Sequence, residues 1–181
     1  MVARGGPRAP LLAALLAERD PMRGAPVDLS LRMDALAGKR TAAAPHAPTL
    51  ARIKAEAKRL SRMTKADGPD ALGVLAALAY PDRLGLRRKG DAPRYVLSGG
   101  KGAVLPEADP MAGARLLVAT DLDGDPREAR IRQAALITDA ELRATFADQI
   151  HWQDVCLWSR REGRVLTRRQ EVFGALILED R

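Results

Sequence analysis

Apolar residues recur at helical spacing through the first third of the chain. Four leucines within 11–16 predict a helix that ends before the Asp-Pro pair at 20–21, because a residue that precedes proline is pushed out of the α-helical conformation. A second short helix follows Asp28, whose side chain suits an N-cap. A third, over 49–65 with Thr49 as its cap, has the clearest apolar stripe.

A fourth helix is predicted to start at Pro69, since proline suits the first helical position. Beyond Asp82 the pattern changes to short strands separated by turns. The predicted strands cover Arg94–Leu97, Ala103–Leu105, Leu116–Thr120, Ala129–Leu136, His151–Trp158, Val165–Val172 and Ala175–Leu178. Before the last three strands, Thr138 followed by Glu141 forms the pattern of a capping box, which predicts another short helix.

This order of elements predicts an α+β fold. A partial helical bundle comes first, then a small OB-like β-barrel, then an additional short antiparallel β extension. Strand spacing alone does not separate an OB-like from an SH3-like barrel. We predict a helical segment over 1–66, a barrel domain with its lead-in helix over 67–148, and the extension over 149–181.

The positive charge of the chain is local. Lys and Arg number 30 against 23 for Asp and Glu, a net charge of +7. Between Ala37 and Lys65 there are eight basic residues and one acidic residue, which accounts for the whole excess. A basic region favours a polyanionic partner. Cys156 stands alone, so no disulfide framework is expected, and a reducing cytoplasm is the default location.

The basic side chains of the third helix fall on the face opposite its apolar stripe. They are Arg52, Lys54, Lys58, Arg59, Arg62 and Lys65. An ordinary solvated face mixes signs, whereas a face of one sign repels itself unless an anion lies alongside. We favour contact with phosphates over a merely solvated face. A membrane surface is disfavoured, because the apolar face holds no Trp or Phe.

Two segments resemble chemical motifs and fail their spacing rules. Ser98–Gly102 lacks the Ser or Thr that follows Gly-Lys in a phosphate-binding loop, and a glycine-rich turn is the better interpretation. Asp121–Asp125 has its glycine two positions too early for a calcium loop, which favours a tight acidic turn. No catalytic residue and no metal ligand is predicted in this chain.

Four segments together resemble one family, the DEAH/RHA group of bacterial ATP-dependent RNA helicases. They are LLAERDPMRG at Leu15–Gly24, LAYPDRL at Leu78–Leu84, RYVLSGGKGAVLP at Arg94–Pro106 and GALILE at Gly174–Glu179. The resemblance extends in order across essentially the whole chain. No single motif would suffice for it.

The resemblance implies that 1–66 is the latter part of a helical ratchet domain, 67–148 an OB-fold, and 149–181 the start of a C-terminal extension particular to one branch of the group. The family's ATPase motifs are absent from this sequence. We therefore expect no enzyme activity and no cofactor in this chain, whereas the parent helicase would bind ATP and Mg²⁺ in its motor domains.

We accordingly expect an accessory, non-catalytic segment that helps hold RNA. Its expected partners are single-stranded RNA or another nucleic acid, the motor domains of the parent helicase, and a protein activator at the OB-fold. Beyond the basic helix, charge and position alone single out Arg83, Arg87, Arg88, Lys101, Arg130 and Arg132. The alternative is a protein-interaction scaffold that docks motor domains or regulatory partners through the OB-like surface. With only six aromatic residues, base stacking would contribute little, and binding would rest mainly on phosphates.

Overall fold

A computed structural model describes residues 1–64 and 67–181. These residues form five α-helices, α1 Ala9–Ala17, α2 Leu29–Leu36, α3 Ala47–Leu60, α4 Leu72–Ala79 and α5 Asp139–Thr145. They also form eight strands, β1 Leu84–Arg87, β2 Arg94–Leu97, β3 Gly102–Val104, β4 Leu116–Leu122, β5 Ala129–Leu136, β6 His151–Ser159, β7 Arg164–Phe173 and β8 Leu176–Asp180. The predicted α+β class is confirmed.

Strands β1 to β5 close into a barrel in the order β1-β2-β3-β5-β4. All neighbours are antiparallel except β3 and β5, which run parallel. This is an OB-like barrel, as predicted. Its interior is filled by one apolar cluster that includes Tyr95, Leu117 and Ile131, and the Tyr95 hydroxyl donates to the carbonyl of Ala114 at 2.7 Å.

The helices pack on the outer side of the barrel in a second apolar cluster. Leu12 and Leu15 of α1 meet Ile53 of α3, and the cluster continues through Leu75 of α4 to Leu176 of β8. Because this cluster joins all three predicted segments, the boundaries at 66/67 and 148/149 are not visible as breaks in the core and stay predictions.

Helix α4 lies against the barrel with no space between them. A Cβ on Gly73 would come within 2.0 Å of the carbonyl oxygen of Leu136, so only glycine permits this approach. The helix that carries this contact begins at Leu72. The predicted start at Pro69 is wrong, because the segment before the helix is held by the first turn of the chain: the N–H of Gly6 donates to the Pro69 carbonyl at 2.7 Å.

Of the three predicted helix N-caps, two are confirmed and one is wrong. Asp28 caps α2, and Thr138 with Glu141 forms the predicted capping box of α5. Thr49 does not cap α3, which begins at Ala47. The Thr49 hydroxyl lies within the first turn of α3 and forms a hydrogen bond with Nδ1 of His46 at 2.8 Å. Strand β1 was not predicted, because four residues with a glycine and an arginine give too short a pattern.

Strands β6, β7 and β8 form a separate three-stranded antiparallel sheet. Its base is tied to the barrel domain: Phe173 packs on Phe146 with ring centroids 5.1 Å apart, and the N–H of Ala175 donates to the Ser98 carbonyl at 2.9 Å. The far ends of β6 and β7 project beyond these contacts. Within the described residues, no helix has both the length and the apolar character needed to cross a membrane.

Candidate nucleic-acid interface

A groove of about 1070 Å³ separates the helical segment from the barrel. One wall is the connection between α1 and α2, residues 18–28, and the other comes from β5 and the loop between β4 and β5, residues 121–133. The two walls are far apart in sequence, so the groove exists only in the folded chain. We refer to it below as the basic groove.

Six cationic side chains line the basic groove without an ion-pair partner among the described residues. Four were predicted from the sequence, Arg83, Lys101, Arg130 and Arg132. The other two, Arg19 and Arg23, were missed, although both lie in the Leu15–Gly24 segment that carries the family resemblance. They were missed because Glu18 and Asp20, their neighbours in the sequence, cancel their positive charge, so the segment shows no excess of basic residues. In the structure, those two carboxylates form ion pairs with other arginines.

The carboxylates of the groove are largely neutralised. Asp20 pairs with Arg32 at 2.8 Å, and Glu18 pairs with Arg52 of α3 at 2.9 Å. Asp121 is the remaining acidic side chain on the described lining. The cations of the described lining outnumber its carboxylates seven to three, so the basic groove has a net positive charge.

Alternation along β5 positions the barrel wall. Ala129 and Ile131 point into the barrel, and Arg130 and Arg132 consequently point outward into the groove. The loop before β5 is fixed by Asp123, whose carboxylate accepts the N–H of Asp125 at 3.1 Å and that of Arg130 at 2.9 Å. These backbone hydrogen bonds lower the pKa of Asp123. The acidic turn predicted here therefore fixes the backbone at the start of β5.

Arg32 and Asp20 position the opposite wall. The Arg32 guanidinium is only 1% exposed and donates to both carboxylate oxygens of Asp20, at 3.1 and 2.8 Å. It also donates to the carbonyls of Pro26 and Asp28. Burial acts to raise the pKa of Asp20, but the hydrogen bonds from Arg32 and from the N–H of Met22 outweigh burial and lower it. This ion pair cross-links the loop that carries Arg19 and Arg23.

An adjoining depression of about 600 Å³ shares Arg19, Asp20 and Arg23 with the basic groove and continues to α3. Arg52, predicted from the basic face of that helix, lines it together with His46. The depression thus extends the groove to the first turns of α3, where Arg52 is paired with Glu18.

The other residues of the predicted basic face lie apart from both depressions. Lys54 and Lys58 of α3, and Arg62 in the 3-10 turn Ser61–Met63 that follows it, are exposed and have no ion-pair partner among the described residues. Arg59 pairs with Glu56 at 2.5 Å. The predicted Lys65 lies outside the described residues. The outward direction of this face is as predicted, and a role for it stays a prediction.

Arg87 and Arg88 also lie away from the basic groove. The Arg87 guanidinium donates to the carbonyls of Ala112 and Asp91, at 3.0 and 3.1 Å, and so holds the loops around β1 in place. Arg88 is exposed just after β1. Within the described residues, no group of three His, Cys, Asp or Glu side chains is placed to hold a metal ion.

No protein-family model matches the chain, and no curated protein matches its sequence. Solved structures of a DEAH/RHA helicase match nearly its whole length. Two of them are crystal structures of HrpB from Escherichia coli. One, described as a DExH-box NTPase, is 26% identical, covers 97% of this chain and 20% of that chain, and has a TM-score of 0.70.

The other, described as a DEAH/RHA helicase, is 21% identical with the same two coverages and a TM-score of 0.68, and it shows the fold alone. The resemblance stated from the sequence is thus confirmed. The chain spans about a fifth of the length of the HrpB chains it matches, and the similarity supports a helicase-associated region.

Proposed function

We propose that this chain is an accessory, non-catalytic nucleic-acid-binding portion of an HrpB-like helicase, and that single-stranded RNA lies in the basic groove. The observation that carries the proposal is the convergence, on one groove between two structural units, of six cations that have no ion-pair partner in the described part of the chain. Such a concentration of one sign is costly unless an anion occupies it. A phosphate backbone supplies that anion along the whole length of the groove.

In this proposal the chain contributes geometry and charge, and no bond is made or broken on it. The helical wall presents Arg19 and Arg23, and the barrel wall presents Arg130 and Arg132, so a strand between the walls meets cations on both sides. Contacts of this kind fix the position of a strand and carry little sequence information. Strand movement would be driven by ATP hydrolysis in motor domains of the parent protein.

The first test is fluorescence anisotropy of the purified chain with a labelled single-stranded RNA at several salt concentrations. We expect binding that weakens with salt, with a log–log slope of about −0.7 for each phosphate contact. The double variant Arg130→Glu/Arg132→Glu removes two contacts, so the slope should become shallower by about 1.4 and the affinity should fall.

The matched control is Arg160→Glu/Arg161→Glu. It reverses the same number of charges in the exposed turn between β6 and β7, where neither residue lines the groove. Equal losses in the two double variants would mean that net charge, and not the groove, governs binding, and would contradict the proposal. A third variant, Lys58→Glu/Arg62→Glu, tests the outer face of α3 separately.

One observation favours a second function, that of a protein-interaction scaffold. The far end of the β6–β7 hairpin exposes Trp158 (64% accessible) and its cross-strand partner Val165 (58%) on one face, and Leu157 (49%) on the other. Exposed apolar clusters are typical of surfaces that bind another protein. This second proposal concerns the extension and is compatible with RNA in the basic groove.

A further inference from the structure

The basic groove contains a flat π surface as well as cations. Tyr80 follows the last residue of α4, and the 3-10 turn Pro81–Arg83 folds the chain back, so that the Arg83 guanidinium lies over the Tyr80 ring with its carbon 4.5 Å from the ring centroid. Both side chains are half-buried and both line the groove.

Arg83 is held in this position by a second contact. Its Nη1 donates to the carbonyl of Thr120 on β4 at 3.4 Å, while its plane is supported by the tyrosine ring. A guanidinium fixed in this way is pre-organised for stacking, because little side-chain entropy remains to be lost on binding. A cation that served only as a counter-charge to phosphate would need no such support.

Apolar side chains lie on the same lining. Leu16 from α1 and Leu122 from β4 line the groove together with the cations. A groove that held phosphates alone would gain nothing from apolar surface. The mixture of planar, apolar and cationic groups matches a nucleotide, which has a flat base and a charged backbone.

We propose that the Tyr80–Arg83 pair forms a stacking site for one nucleobase of the strand in the basic groove. The inference rests on the proposed function and deepens it, since it assigns to this groove a base as well as phosphates. Because every base has a π face, the site tolerates all four bases. On the barrel side of the groove, the phosphates of the bound strand then contact Lys101, Arg130 and Arg132.

The test compares a ten-nucleotide RNA with an abasic ribose-phosphate strand of the same length and charge. Wild-type protein should bind the ordinary strand about five to ten times more tightly, a preference within the range measured for stacking of one base. Arg83→Lys keeps the charge and removes the plane. In this variant the preference should fall at least about threefold, and the salt slope should stay unchanged.

Arg130→Lys is the matched control, since it makes the same chemical change at a cation that is assigned to phosphate. Its preference for the ordinary strand should equal that of the wild type. Tyr80→Leu removes the supporting ring and should behave like Arg83→Lys, whereas Tyr80→Phe should retain the preference. Thermal unfolding of each variant establishes that it is folded.

The possible failures are distinguishable. Absence of salt-dependent binding in the wild type would overturn the proposed function itself. Normal salt-dependent binding with equal affinity for the two strands, or with a preference that Arg83→Lys and Tyr80→Leu both leave unaltered, would overturn only the stacking site. A wild-type preference that both variants lose would support it.

Discussion

Asp20 and Arg32 show how a single buried ion pair can set the position of residues that it does not include. Arg32 is almost fully buried, and a buried cation is tolerated only when its partner and its hydrogen bonds are complete. Here the carboxylate of Asp20 and the backbone carbonyls around it satisfy the guanidinium. The loop cannot rearrange without breaking this set, so Arg19 and Arg23 are held at the groove.

Asp20→Asn should therefore destabilise the chain and weaken RNA binding. It leaves the Arg32 charge buried without its anion, at a cost of about 2–3 kcal/mol in the free energy of unfolding, slightly less than for a fully buried pair. Urea denaturation measures that loss. Anisotropy with RNA, under conditions where the variant is folded, measures the effect on the loop.

The control for this change is Asp34→Asn. It removes the exposed pair with Lys39, and exposed pairs contribute at most about 1 kcal/mol. If the two variants lose the same stability, the buried pair does not hold the loop.

At the scale of elements, the decisive contact joins α5 of the barrel domain to β7 of the extension. Arg143 donates two parallel hydrogen bonds to Glu171, at 2.8 and 2.7 Å, and also pairs with Asp139. The hydrogen bonds from Arg143 lower the pKa of Glu171 and are also the main cause of the lowered pKa of Asp139. Next to this network, Phe146 and Phe173 pack ring against ring.

The contribution of this network to stability should depend on pH in a defined direction. A carboxylate with a lowered folded-state pKa stabilises the fold above its unfolded pKa, about 4.3 for Glu, and the stabilisation is lost as the pH falls through the folded value. Glu171→Gln should thus reduce the unfolding free energy at pH 7 by about 1–2 kcal/mol, a figure that allows for the partial exposure of Arg143. The difference from wild type should shrink steadily as the pH is lowered below about 4.3.

Urea denaturation at a series of pH values checks this expectation. Glu179→Gln, which removes the exposed pair with Arg181, provides the comparison and should have a small effect at every pH. A Glu171→Gln deficit that stays constant from pH 7 to pH 3 would mean that charge plays no part in the contact.

At the scale of the whole molecule, local patterns predicted most elements but only part of the candidate site. The alternation along β5 correctly directed Arg130 and Arg132 outward, and the capping box of α5 was read from two residues. Arg19 and Arg23 could not be found in this way, because their importance comes from a barrel loop about a hundred residues further along the chain. A local sequence pattern carries no information about which distant segments meet in the folded chain.

The projecting hairpin leads to a prediction about assembly. If the extension is a docking surface, the chain should capture purified motor domains of E. coli HrpB in a saturable manner without RNA. Trp158→Ser/Val165→Ser should abolish that capture, because it removes the exposed cross-strand apolar pair while leaving the base of the sheet intact. A pull-down with increasing motor-domain concentration provides the measurement.

In the same assay Arg161→Glu should capture the motor domains as the wild type does. Absence of capture by the wild-type chain would exclude the scaffold function for these domains and would leave RNA binding in the basic groove untouched.

The walls of the basic groove are also fastened directly to each other. The N–H of Val27 donates to the Asp109 carboxylate at 2.8 Å, and the Val27 carbonyl accepts the N–H of Ala134 at 3.1 Å. These two hydrogen bonds restrain the walls, so the groove is formed before its ligand binds. Pre-organised sites spend little free energy on ordering themselves, so the entropy lost on binding would fall almost entirely on the strand. A conformationally rigid single strand should then bind the groove with higher affinity than a flexible strand of equal charge.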